Sequence, residues 1–305
     1  MVTTLSVCIL LLVYFIPGSA QKELPTNLEV EYITSIATNS IYLQNSDGHL
    51  VQAKILIDEK DLDKKVEKMV NHLIVSKSNP FPNSLKALIP ENTKILNITV
   101  EESIVTLNFS KEFATVLEKD EEAMIESLVY SVLDIEGITG LKLKVEGEDL
   151  LKLPQSKKSL PEILTKKIGI NKVYNIDSRK NLNSVVIYYV ESIDGNNYYV
   201  PVTKYLNDSR DKIKIVMENL TTNYIYEKNL ISFLSEDVSL IDYNIDNDIM
   251  VLNFNDAIFT NDKNIMEEVV YTICSSVFAN YDVREVVLQV QGLPVVSKSV
   301  NNMIN

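Results

Sequence analysis

The segment Val105-Thr106-Leu107-Asn108-Phe109 returns as Met250-Val251-Leu252-Asn253-Phe254, roughly 145 residues later. Other pairs keep a similar interval. Asp47-Gly48 matches Asp194-Gly195, Ser127 to Ser131 matches Glu268 to Thr272, and Val145-Glu146-Gly147 matches Val290-Gln291-Gly292. A chain of 305 residues that repeats itself at this interval consists of two copies of one small unit.

Periodicity fills in the unit. Ile41 to Leu43 and Leu50 to Ile55 flank the first Asp-Gly; Val185 to Val190 and Tyr198 to Val202 flank the second. Both read as β-hairpins, because Asp-Gly accepts the positive φ of tight turns. Leu62, Val66, Met69, Val70 and Leu73 then recur at helical spacing behind Asp58 as N-cap, and Ile213, Val216, Met217 and Leu220 do so behind Asp208 and Ser209. A second strand pair follows in each copy: Ile95–Val100 with Ile104–Phe109, and Leu240–Ile245 with Ile249–Phe254. Next come the apolar stripes Met124, Ile125, Leu128, Val129, Val132, Leu133 and Ile265, Met266, Val269, Val270, Ile273, Cys274, Val277. An alternating strand closes each copy, Leu141 to Val145 and Val286 to Val290.

One apolar stripe per helix suits two helices covering one face of a sheet. The expected fold class is therefore α+β, two tandem copies of a small β-sheet covered on one face by two helices. The expected boundaries are residues 36–150 and 183–300, with 151–182 as a basic linker. Aligned on the stripes, Cys274 takes the position of Leu133, a buried small hydrophobe rather than a nucleophile.

Residues 5–16 are apolar apart from Ser6, and the small residues Pro17-Gly18-Ser19-Ala20 follow. Such a run is too short to span a bilayer and suits the core of an export signal. No Lys or Arg precedes it, so cleaved export signal, retained anchor and buried N-terminal strand all stay open. Cys8 lies at the start of the run behind the bulky Val7, which suits a plain apolar position better than a lipidation site.

Composition closes several function classes. Net charge is -13, and the arginines are Arg179, Arg210 and Arg284 alone, which argues against nucleic acid. Cys8 and Cys274 cannot build a disulfide framework or a four-thiolate zinc site, and His49 and His72 cannot build a histidine-rich one. Phosphate-loop, dinucleotide, zinc-protease and serine-hydrolase signatures are absent. No catalytic residue, cofactor site or metal site is expected. Asp242-Tyr243-Asn244-Ile245-Asp246 gives alternating calcium-type ligands, but Asn247 replaces the required glycine, and a solvated hairpin is the better reading.

Two features suggest an interaction surface. In the hairpin 185–203, alternation sends one residue of each pair, Tyr188 or Tyr189 and Tyr198 or Tyr199, away from the core. Tyr224 and Tyr226 add to this tyrosine cluster. The stretch Lys152 to Lys180 carries Lys157, Lys158, Lys166 and Lys167 among its cations, against Glu162 and Asp177. It reads either as a solvated linker with a short helix near Leu160 to Ile168, or as a contact for an acidic partner, anionic lipid or wall polymer. His49, just after the turn, is expected to be exposed; His72 packs beside Leu73. Glu122 and Glu126 look like ordinary surface carboxylates.

The order of motifs resembles the GerM domain of sporulation and spore-germination proteins. It is carried by the Tyr-rich strand Ile187 to Val190, by Leu85-x-x-x-Ile89-Pro90, and by Val105-x-Leu107-x-Phe109-Ser110. Leu128-Val129-Tyr130-Ser131, the final Val-x-Gly and the tail Leu293 to Ser297 complete it. The second copy has Ser232-Phe233-Leu234-Ser235 in place of the Ile-Pro. The resemblance implies small modules similar to the ring-building units of secretion machines. It further implies an exported, membrane-associated, non-enzymatic scaffold at the cell envelope, working in sporulation and germination. Its partners would be an envelope protein complex or further copies of itself. A second reading is an extracytoplasmic binding module for cell-wall polymer or peptide.

Overall fold

The computed structural model describes residues 38–76, 80–222 and 229–300. The leader, Cys8, Tyr224 and Tyr226 lie outside the described residues. In the first copy the order is β1 (Asn39–Gln44), β2 (Leu50–Ile55), α1 (Leu62–Leu73), β3 (Ile95–Glu101), β4 (Ile104–Phe109), α2 (Glu118–Val132), β5 (Gly140–Val145) and β6 (Glu148–Asp149). After β7 (Val173–Asn175), the second copy runs β8 (Leu182–Ile193), β9 (Asn196–Asn207), α3 (Lys212–Thr221), β10 (Leu240–Asp246), β11 (Ile249–Phe254), α4 (Glu267–Asn280), β12 (Glu285–Val290) and β13 (Leu293–Ser299). This is the expected α+β repeat. The tail read as a closing segment is a full strand, β13, paired antiparallel with β12.

The helix caps differ from the expected ones. Asp61 caps α1, accepting from the Asp63 N–H at 3.1 Å, and Asp211 caps α3, accepting from Ile213 at 3.3 Å. Each is the aspartate nearest the apolar stripe, where its side chain reaches the unsatisfied N–H groups of the first turn.

Each copy has a four-stranded sheet, β3-β4-β5-β6 and β10-β11-β12-β13. The central pairs β4/β5 and β11/β12 are parallel, because α2 or α4 carries the chain back between them. The hairpins form a third sheet common to both copies: β2 meets β9 antiparallel at Gln52 and Tyr199, and β7 continues along the same edge of β9 at residues 204–206. The second turn is tight, with Asp194 at φ 51° and Gly195 at φ 78°, whereas in the first only Gly48 has positive φ, 92°.

The outer edges of the shared sheet are covered in the same way in both copies. The Tyr42 N–H donates to Ser131 Oγ at 2.9 Å, and the Tyr188 N–H to Ser276 Oγ at 2.9 Å. Ser40 N–H donates to Asp134 and Val186 N–H to Asn280, at 2.6 and 3.1 Å. A turn further along, Gln44 bridges to Lys86 and Val190 to Ile231. Edge N–H groups that would otherwise recruit a foreign strand are thus occupied.

These pairs fix the helix register. Ser131 corresponds to Ser276, so Cys274 corresponds to Val129 and not to Leu133; Val129 and Cys274 are fully buried. An apolar stripe is nearly unchanged by a slip of four residues, about one turn, which is how the stripes alone misalign α2 with α4. The mid-domain motif keeps its core spacing in both copies, with Leu85 and Ile89 answered by buried Leu230 and Leu234.

Candidate functional site

The residues picked out by sequence converge on the junction between the copies, in a different arrangement from the expected one. Tyr189 points into the second copy's core and is 1 % exposed; its hydroxyl reaches Asn219 of α3 at 3.5 Å. Tyr188 points away from that core, as alternation requires, yet it is only 9 % exposed because the first copy covers it. The Tyr42 and Tyr188 hydroxyls share a hydrogen bond. Tyr42 stands edge-on to Tyr130 of α2 and Tyr188 to Tyr271 of α4, at centroid distances of 5.5 and 6.4 Å. Tyr199 stacks on Tyr271 at 3.6 Å, and Tyr271 donates to Gln52 of the first copy at 2.8 Å. Tyr198 is half-buried against the core. The hairpin tyrosines therefore join the two copies to each other. Burial pushes Tyr188 and Tyr199 up to about 12, and Tyr42, Tyr130 and Tyr271 upward as well, so all five keep their protons at neutral pH.

A polar seam continues the junction. Glu191 of β8 accepts from Asn45 at 2.6 Å and lies 3.0 Å from His49 Nδ1. His49 is thus held against the other copy, not exposed beyond the turn. Burial raises the Glu191 carboxyl and His49 lowers it, with a net upward shift. Asn229 donates to Asp47 at 2.6 Å. His72, by contrast, packs in its own copy, edge-on to Phe81.

Residues 151–182 are built into this junction. Leu153, Leu164 and Ile170 are buried, and a single helical turn, Lys166–Ile168, replaces the short helix anticipated over 160–168. The carboxylates of α2 hold the segment. Glu121 accepts from the N–H groups of Gln155 and Ser156 at 2.8 and 3.0 Å. Lys158 pairs with Glu122 at 2.5 Å, and Lys172 pairs with Glu126 at 2.9 Å. Glu126, read as a surface carboxylate, is only 6 % exposed. Lys157 donates to the Pro154 carbonyl at 2.5 Å. The two lysine pairs of the basic band thus part company: Lys157 and Lys158 serve the segment's own attachment, while Lys166 and Lys167 line a cleft.

That cleft, of about 930 Å³, opens between the copies. The start of β1 and the end of α2 line one side; the start of β8 and the end of α4 line the other. Lys65, Lys166, Lys167 and Lys212 line it against Asp134 and Glu136. Asn39 of β1 also lines it, 5 % exposed, and its Oδ1 has no hydrogen-bond partner. Sequence reasoning missed Asn39 and the junction residue Asn171, since an isolated asparagine carries no pattern. Among the described residues no group of three or more His, Cys, Asp or Glu side chains is placed to hold a metal ion. No described helix is long and apolar enough to cross a membrane.

Comparison with known proteins places this architecture. The family model Germane, described as sporulation and spore germination, matches residues 40–151 and 186–296. The spore germination protein GerM of Bacillus subtilis (strain 168) is 25 % identical over 281 residues, covering 89 % of this chain and 76 % of that protein. The solved structure of the tandem GerMN domains of the sporulation protein GerM from the same organism superposes with a TM-score of 0.76. It is 25 % identical, over 84 % of this chain and 91 % of that one.

Proposed function

The chain belongs to the Germane family of sporulation and spore germination proteins, and from that membership we propose that it is a non-enzymatic assembly protein of the cell envelope. In this reading it acts in sporulation or germination, exported and attached at the outer face of the cell membrane. The observation that carries it is the tandem: both copies, in the same order and packing, follow the tandem domains of a sporulation protein along 84 % of the chain. The joined hairpins support the same reading, since a two-copy body with fixed internal geometry can hold partners at a set distance. Its partners would be an envelope protein complex or further copies of itself, and residues 36–150 and 183–300 would act as the two modules.

Deleting the protein in its source organism and counting heat-resistant spores tests this. A sharp fall with normal vegetative growth is expected, together with co-purification of envelope proteins with the intact chain. Unchanged spore counts would remove the sporulation role, and an intact chain that recovers neither a partner nor its own copies would remove the scaffold.

A further inference from the structure

Next to the cleft the shared sheet ends in three strands: β7, the start of β8 and the close of β9. The register sets Tyr174 beside Tyr205, Tyr205 beside Ser184, and Leu182 opposite Asn207. Paired and alternate residues share one side of a sheet, so Tyr174, Tyr205, Leu182 and Ser184 stand on one face. Ser184 also lines the cleft, as do Val186 and Thr203, the next pair inward on that face.

The face is apolar where it reaches solvent. Tyr174 is 62 % exposed and Leu182 55 %, with Ile176 following β7 at 40 %. Tyr174 stacks on half-buried Tyr205 at a centroid distance of 4.9 Å. Apolar groups exposed together on adjacent strands mark a contact surface.

Positive charge borders it on a chain of 29 basic and 42 acidic residues. Arg179 and Lys180 are exposed in the loop from β7 to β8, and Lys166 and Lys167 are exposed on the adjoining cleft wall. The neighbouring acids are Asp177 in the loop, Asp134 and Glu136 in the cleft, and Asp208, which Arg210 engages at 2.6 Å. Asn207 fixes the loop. It accepts from the Asp177 and Ser178 N–H groups at 2.7 and 3.0 Å, and donates to the Ser178 and Lys180 carbonyls at 2.9 and 2.5 Å. The side chains are thus displayed with little left to order on binding.

We propose that this face docks the protein on an anionic lipid surface. Tyr174, Ile176 and Leu182 enter the boundary of headgroups and acyl chains, while Arg179, Lys180, Lys166 and Lys167 meet lipid phosphates. Amphipathic rings, aliphatic carbons and cations side by side suit that boundary; an acidic protein would use the cations and leave the aliphatic groups unmatched. Thr38, the first described residue, also lines the cleft, so the chain enters the body beside this surface. The inference rests on the membrane-attached reading above and names the face and the lipid class which that reading leaves open.

The test is flotation of the full chain with phosphatidylcholine vesicles, with and without phosphatidylglycerol. Every protein carries Leu11→Asp and Leu12→Asp, so that residues 5–16 cannot insert and the folded body alone is read. Binding should require phosphatidylglycerol and weaken as salt rises. Arg179→Gln/Lys180→Gln and Tyr174→Ser/Leu182→Ser change only exposed side chains; each pair should weaken binding by ~10-fold or more, with unchanged urea midpoints. The chain has no tryptophan, so a single introduced one reports depth. Leu182→Trp should shift to the blue and be quenched by brominated lipid, whereas Leu293→Trp, at a site 71 % exposed in β13, should not. Equal binding to phosphatidylcholine alone overturns the proposal, as does binding that survives either double variant, or equal quenching at position 293. Soluble polyglutamate competing as well as the vesicles would assign the face to an acidic protein instead. An unsubstituted chain found outside the membrane fraction of its cells removes the attached reading, and the vesicle result still decides this face. Absent vesicle binding by a chain that fractionates with membranes removes this face alone.

Discussion

Asn171 and Leu50 exchange two hydrogen bonds across the junction: the Leu50 N–H donates to Asn171 Oδ1 at 2.8 Å, and Asn171 Nδ2 donates to the Leu50 carbonyl at 2.8 Å. The side-chain amide thereby stands in for a strand residue beside β2. The same Nδ2 donates to the carbonyl of Pro201 in β9 at 2.9 Å, and the Asn171 N–H donates to buried Glu126 at 3.0 Å. Pro201 has no N–H, so the β2–β9 ladder cannot continue past Tyr199; Asn171 fills the break.

Asn171→Ala should therefore destabilise the chain by about 2–4 kcal/mol, leaving two carbonyls and one N–H without partners. Part of that cost is local, because Asn171 has φ 46°, a region asparagine tolerates better than alanine. Asn171→Gly separates the terms: it relieves the backbone and should recover about 1 kcal/mol of the loss. Urea denaturation of the three proteins gives both numbers. A loss below about 0.5 kcal/mol for the alanine variant would mean that water replaces the amide.

Ser131→Ala and Ser276→Ala should cost about 1–2 kcal/mol each, since each leaves one buried strand N–H unpaired. Because the two serines are equivalent and both are fully buried, the costs should match within about 0.5 kcal/mol and add in the double variant. Equilibrium denaturation of the set decides; a large cost in one copy alone would contradict the equivalence.

Two glutamates should give opposite pH dependence. Burial works against the Glu121 carboxylate, but hydrogen bonds from Ser156 and Gln155 outweigh it and hold the carboxyl below the ordinary range. Its contribution is present above the ordinary glutamate value of ~4.3 and fades as pH falls through the lower folded value. Glu191 is raised by burial, so its contribution is full below ~4.3 and is lost as pH rises through the raised folded value. Stability measured against pH for Glu121→Gln and Glu191→Gln, each subtracted from the parent, should show slopes of opposite sign. Parallel slopes would refute the assignment.

Cys274 should resist thiol reagents in the native state. It is fully buried, and burial pushes its thiol up to about 12, so little thiolate forms near neutral pH. With Cys8 replaced by Ser, Ellman's reagent should give no rapid reaction at pH 8 and one thiol per chain after urea unfolding. Fast native-state reaction would mean that α4 opens readily from β12.

Strand periods, helix stripes and the hairpin turns are local properties, and the sequence alone determined them: two α+β copies, thirteen strands apart from the short β6, β7 and the tail strand β13, and a buried Cys274. Four further matters were decided only by tertiary structure. The register of α2 against α4 depends on the Ser131 and Ser276 bonds, which a stripe blind to a four-residue slip cannot reveal. The fate of Tyr188 depends on β2 meeting β9, a pairing between residues almost 150 apart that no alternation pattern encodes. The split of Lys157 and Lys158 from Lys166 and Lys167 depends on the Pro154 carbonyl, which takes Lys157, and on where α2 presents Glu122, which takes Lys158. Asn39 and Asn171 gain their roles solely from what surrounds them, because a single amide has no period, and its chemistry is set by the partners that folding brings to it or withholds.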